Sequence, residues 1–165
     1  MSTVSSKHTV IKSVRELHCG DHVSWPSSFA VVRHHAIVIA HKGGNVIKVV
    51  HVIPKEDEPT EYEVREECID LADYTTKGWL WRYEYTPEMC YEPKEVVDRA
   101  LEKKGKFDYD AMKNNCEHFA RWCKTGDLQS KQADTAKKVG EATTASFAAA
   151  VGAALVALIA DIARR

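Results

Sequence analysis

The chain has 165 residues, 44% hydrophobic and 28% charged, with a formal net charge of −1. That length and balance suit one folded domain with an appendage and exclude global disorder. Near-neutrality also excludes a whole-molecule field for nucleic acid or acidic membranes, so any such contact must be local.

The opening "MSTVSSKHTVIKSVRE" is polar and charged, so residues 1–12 read as a flexible lead-in rather than a signal peptide. From Gly20 the pattern turns to β. "GDHVSW" is a short strand after a Gly-Asp turn, and "PSS" breaks it. "FAVVRHHAIVIA" and "VIKVVHVIP" then flank "HKGGN", two β-branched runs about a Gly-Gly turn, which predicts a hairpin. Residues 55–77 are acidic and polar, a solvated face, with "TEYEVREE" readable as strand or loop. "GWLWRYEY" alternates as a half-buried strand. A single arginine among its rings argues against an aromatic nucleic-acid platform.

Pro93 opens a helix whose Val96, Val97, Ala100 and Leu101 recur at helical spacing, and Gly105 stops it. A second helix is predicted from about residue 115 to 124, ending near Gly126. The domain spans 13–130; residues 131–165 form a linker and an apolar C-terminal helix. Within that tail, residues 142–160 carry no charge. As a helix they cover roughly 28 Å, enough for a bilayer core. Phe147, Val151, Leu155, Leu158 and Ile159 form one stripe, which suits an in-plane or packing helix equally.

Five cysteines, an odd number with no CxxC pair, point to free thiols in a reducing, cytoplasmic setting. Cys116 and Cys123 lie about 10 Å apart along a helix, too far for a disulfide. His118 would point away from both, which disfavours zinc, and no metal or cofactor is expected. In "NNCEHFARWC", Asn114 and Glu117 fit a capping box, which sets Cys116 at the second helical position, where amides and the helix dipole favour a thiolate. Cys116, Phe119, Ala120 and Cys123 share the stripe that packs on the sheet, and Glu117 and Arg121 pair outside.

A nucleophilic cysteine needs a base. The hairpin carries His34, His35, His41 and His51. His34 shares a strand face with Ala36 and Val38, and His35 takes the other. Depending on the turn, His51 pairs with Ala36 or with His34 itself, so His34 and His51 are neighbours on one face and His35 is not. Two adjacent buried imidazoles are costly unless bonded, and one orienting the other beside a thiol follows triad logic.

"RHHAIVIA", "VVHVIP" and "VVDRALEKKGKFDYDAMKNNCEHFA" resemble the lecithin:retinol acyltransferase family, which includes the HRAS-like suppressor phospholipase A/acyltransferases, from about Gly20 to about Gly126. The resemblance implies an α+β fold of the circularly permuted papain-like, NlpC-type branch, with an antiparallel sheet packed on the cysteine helix. It implies Cys116 as nucleophile, His34 as general base and His51 orienting His34. A glycerophospholipid would donate an acyl group to Cys116 as a thioester, and water, an amine or a hydroxyl would accept it. The Cys116 backbone N–H would serve the oxyanion. The family usually has an aromatic where this chain has His35, and the insertion that confers retinoid specificity is not recognisable here. Membrane association through the C-terminal segment fits a lipid substrate. The alternatives are a cysteine amidase or peptidase of the papain-like group, and a non-catalytic interaction module.

Overall fold

The computed structural model describes residues 7–27 and 32–126. In chain order the elements are β1 (His8–Val10), β2 (His22–Pro26), β3 (Arg33–Gly43), β4 (Val46–Pro54), β5 (Tyr62–Asp70), α1 (Ala72–Thr76), β6 (Trp81–Tyr83), α2 (Pro93–Glu102), β7 (Gly105–Phe107) and α3 (Cys116–Thr125). All seven strands join one antiparallel sheet in the order β1-β6-β2-β3-β4-β5-β7. The fold is therefore α+β. The expected C-terminal helix lies outside the described residues. No helix among the described residues is long and apolar enough to cross a membrane. Residues 8–10, within the expected flexible lead-in, form β1, and Ile11 beside it is fully buried.

Strand alternation divides the core into two layers. On one face Val23, Trp25, Ala36, Val38 and Val49 pack with Val14, Leu17, Leu71 and Leu80. On the other, Ile37, Val50, Val52 and Val64 pack under α2 and α3 through Val96, Ala100, Cys116, Phe119, Ala120 and Cys123. The expected cysteine-helix stripe thus meets the sheet. The acidic stretch resolves into β5, whose nine residues pair with all of β4, and the short α1.

The β3–β4 hairpin turns at Gly44–Asn45, because Gly43 pairs with Val46. Two register shifts, between Val38 and Ala40 and between His41 and Gly43, then bring His51 opposite Ala36. That is one of the two expected pairings, reached through bulges that the glycines did not signal.

α2 opens with Pro93, whose missing N–H costs nothing in a first turn. Gly20 lies against it: a Cβ at Gly20 would come 2.9 Å from the Pro93 backbone. The Arg99 guanidinium lies 4.3 Å from the Tyr91 ring and 4.1 Å from the Trp122 ring, and donates to the Trp122 carbonyl at 3.0 Å, joining α2 to α3.

Candidate active site

α3 starts one residue later than the sequence suggests. Asn115, not Asn114, is the N-cap, and Cys116 is the first helical residue rather than the second. The Asn115 side-chain oxygen accepts from the Glu117 and His118 amides at 3.0 and 3.1 Å. His118 closes the box in place of Glu117, its Nδ1 accepting the Asn115 amide at 3.2 Å. Asn115 is buried and also donates to the Ala111 carbonyl, so it holds the end of the preceding loop as well as the helix. Asn114 donates instead to Asp108. Glu117 and Arg121, expected outside, are buried. They face the β2–β3 side of the helix layer, where both act electrostatically on groups of the sheet.

His34 and His51 meet as expected. Their Nε2 and Nδ1 atoms are 2.8 Å apart, with the rings edge-on at 79°, and both residues are buried. The Trp25 ring stands 5.1 Å from the His34 ring. His35 faces the opposite way, as parity requires. There it forms a second pair that sequence reasoning missed: His35 Nδ1 lies 2.8 Å from His22 Nε2, and His22 Nδ1 lies 2.7 Å from the Tyr85 hydroxyl.

The two pairs lie on opposite faces of the sheet, and the thiol rests against the β3 backbone. Ser27 donates to Val32, and Val38 to Asp21, each at 3.0 Å. The even-numbered residues of this stretch therefore turn their backbone groups toward β2, and Arg33 and His35 turn theirs toward β4. Yet β3–β4 pairing stops at Ala36–His51. Beyond that rung the β3 backbone meets Cys116: its Sγ lies 3.9 Å from the Arg33 carbonyl, and the His35 amide faces the sulfur. The thiol is thus level with the backbone on either side of His34. It is hydrogen-bonded to the strand and not to either imidazole.

Electrostatics keep this group neutral at rest. Burial pushes the Cys116 thiol up to about 12, against the amides of His35, Glu117 and Cys116 itself, which pull it down. The thiolate expected from the helix terminus is therefore not favoured in the resting site, because desolvation outweighs the local dipoles. Burial also holds His34 and His22 well below the ordinary histidine value, and the adjoining imidazole adds to this in each pair. His35 falls to about 4, chiefly by burial.

Beyond His51 stands Glu67 on β5, its Oε2 2.9 Å from His51 Nε2. The contact is close but off the ring N–H axis. Its charged form is favoured first by His51, against partial burial. Alternation in "YEVREECID" puts Arg65 and Glu67 on one face, a signal that was usable only once β5 was known to pair with β4.

The family model for lecithin retinol acyltransferase matches residues 15–129, more than half of the chain. The chain belongs to this family. No curated protein and no solved structure matches it. Members of the lecithin retinol acyltransferase family are typically acyltransferases that draw on lipid acyl donors, so acyl transfer of acyltransferase or phospholipase type is the general chemistry of this chain. The matched span holds both histidine pairs, Glu67 and all of α3.

Proposed function

We propose that the protein is a thiol-dependent phospholipid acyl hydrolase and acyltransferase of the permuted papain-like type. Cys116 is the nucleophile, His34 the general base and His51 the residue that orients it. The supporting observation is the bonded His34–His51 pair beside the backbone on which the Cys116 thiol rests. With Nε2 of His34 engaged by His51, Nδ1 is the nitrogen left to take the thiol proton.

As sulfur attacks the ester carbonyl carbon of a glycerophospholipid, the proton passes from Sγ to His34 Nδ1. Collapse of the tetrahedral intermediate breaks the carbon–oxygen bond. The departing glycerol oxygen takes the proton from His34, and a thioester remains on Cys116. Water, or an amine or hydroxyl acceptor, then attacks the thioester and gives its proton to His34, which returns it to the sulfur. The Cys116 backbone N–H, at the first turn of α3, supplies a donor for the oxyanion. The helix terminus favours such developing negative charge even though burial keeps the resting thiol protonated.

A lipid donor makes residence at a membrane useful. The uncharged stretch 142–160 is the proposed means of a cytoplasmic enzyme's association with it. Removal of residues 141–165 should abolish pelleting with vesicles; unchanged pelleting rejects this role.

The test of the chemistry is incubation with labelled phosphatidylcholine, followed by mass spectrometry of the Cys116 peptide. An acyl adduct on Cys116 and fatty-acid release are expected. Equal release by wild type and Cys116→Ala overturns the proposal.

A further inference from the structure

The His34–His51 pair leaves one question of chemistry open: which ring nitrogens carry the protons. An imidazole pair joined through one hydrogen bond can hold its protons in two ways, and only one leaves His34 Nδ1 with a lone pair. If His51 Nδ1 carries the proton, it donates to His34 Nε2, and His34 then presents Nδ1–H, which cannot accept from a thiol. If His34 Nε2 carries the proton, it donates to His51 Nδ1, and Nδ1 of His34 is basic. Something outside the pair must choose.

We propose that Glu67 is a positioning residue that makes this choice. Its carboxylate stands 2.9 Å from His51 Nε2, and the other nitrogen of that ring, Nδ1, lies 2.8 Å from His34 Nε2. A carboxylate presents acceptor charge and no proton, and although it lies off the ring N–H axis, at 2.9 Å its charge favours His51 with the proton on Nε2. His51 Nδ1 is then an acceptor, His34 Nε2 a donor, and His34 Nδ1 the base. The effect passes from β5 through β4 to β3 by one carboxylate and two rings, with no contact between Glu67 and the reacting atoms. The inference rests on the role given to His34 above.

Other groups around the pair do not make the same selection. From β2, Trp25 packs on His34 and does not titrate. From β3, His35 lies behind on the other face, where it binds His22. From β5, Arg65 approaches the same Glu67 oxygen at 3.8 Å, a donor that holds the carboxylate and moderates its charge. From α3, the Cys116 thiol contacts the strand backbone. Glu67 therefore supplies the anion at the His51 end of the chain of rings.

The experiment has two arms. The first does not need turnover: long-range proton–nitrogen NMR of the full chain reads the protonated nitrogen of each imidazole. In the wild type, His34 and His51 should both carry the proton on Nε2. In Glu67→Ala, His51 should shift toward the Nδ1–H form and His34 with it. The second arm compares Glu67→Gln, Glu67→Ala and Glu67→Asp with the wild type for fatty-acid release across pH. Loss of the carboxylate should lower kcat at least tenfold with KM little changed, and should move the acid limb of the profile to lower pH. Glu67→Asp, which keeps the charge, should recover part of the rate.

Unchanged nitrogen spectra in Glu67→Ala, or an unchanged kcat and acid limb in Glu67→Gln, would overturn the positioning role. If His34→Ala and Cys116→Ala also keep full activity, the catalytic reading itself has failed. If those two lose activity while the Glu67 variants do not, only the present inference has failed.

Discussion

The resting state of Cys116 can be tested without substrate. The perturbation is pH, and the readout is the rate at which iodoacetamide labels Cys116. With its thiol held at about 12 rather than the ordinary 9.0, Cys116 has about a thousandfold less thiolate at neutral pH than the same cysteine in an unfolded chain. Burial raises the thiol and lowers the His34 imidazole, so both partners oppose proton transfer in the resting site. The neutral thiol and neutral imidazole should therefore predominate in the resting site. The assay is pulsed alkylation with peptide mass spectrometry, using the urea-unfolded chain as reference; site resolution matters because Cys19 and Cys68 are exposed. Labelling of Cys116 in the folded protein should be about a thousandfold slower at pH 7.5 and should rise about tenfold per pH unit through pH 10. A plateau near neutrality that disappears in His34→Ala would reveal a preformed ion pair and refute the dominance of burial over the helix-terminal amides.

Two further outcomes follow from the same contacts. Asn115→Ala removes the acceptor of two buried amides and should cost about 1–3 kcal/mol, lowering Tm by several degrees in a thermal melt, with Cys116 labelling accelerated as α3 frays. An unchanged melt would show that the cap is replaceable. Acid should weaken the fold through His22, His34 and His35. All three have folded values below the unfolded 6.5, so the unfolded chain binds more protons and stability falls as pH drops from 6.5 toward about 4. A denaturant titration series should show a loss of a few kcal/mol over that window, and a flat profile to pH 4.5 would contradict the burial argument.

Much of this site was legible because period and spacing are local. Strand alternation separates His34 from His35 whatever the tertiary setting, and the hairpin length brings His51 back to the His34 face. The cysteine helix announced itself through Phe119, Ala120 and Cys123 at helical spacing. What escaped depends on long-range pairing. Glu67 lies 16 positions beyond His51 in an acidic stretch that looked solvated, and it reaches the site only because β5 pairs with β4 along its whole length. His22 and Tyr85 reach His35 from β2 and from the residue after β6's close neighbour Glu84, elements whose order in the sheet no local pattern states. The cap moved by one residue because two asparagines stand side by side. The sequence offers both as acceptors, and only the loop contact from Asn115 to Ala111 tells them apart. The thiol's neutral state was missed for a different reason: helix-terminal dipoles can be read from a sequence, whereas the depth of burial that opposes them cannot.

The gap between β3 and β4 reconciles two facts that parity alone sets at odds. Cys116 comes from the helix layer, whereas His34 and His51 lie on the far face of the sheet. Were the ladder to continue past Ala36–His51, its next rungs would take up the β4-facing backbone groups of His35 and then Arg33, which here face the sulfur. Ending the ladder there leaves those groups to the sulfur and brings the thiol level with the strand. The two bulges in the hairpin are part of the same arrangement. They set the register that puts His51 opposite Ala36, and a slip of one residue would carry the His51 ring to the other face, away from His34. Site geometry in this protein is therefore a property of strand register as much as of the helix that bears the cysteine. A change in the hairpin far from the thiol, one that removed a bulge, would dismantle the histidine pair while leaving every proposed catalytic residue in the chain.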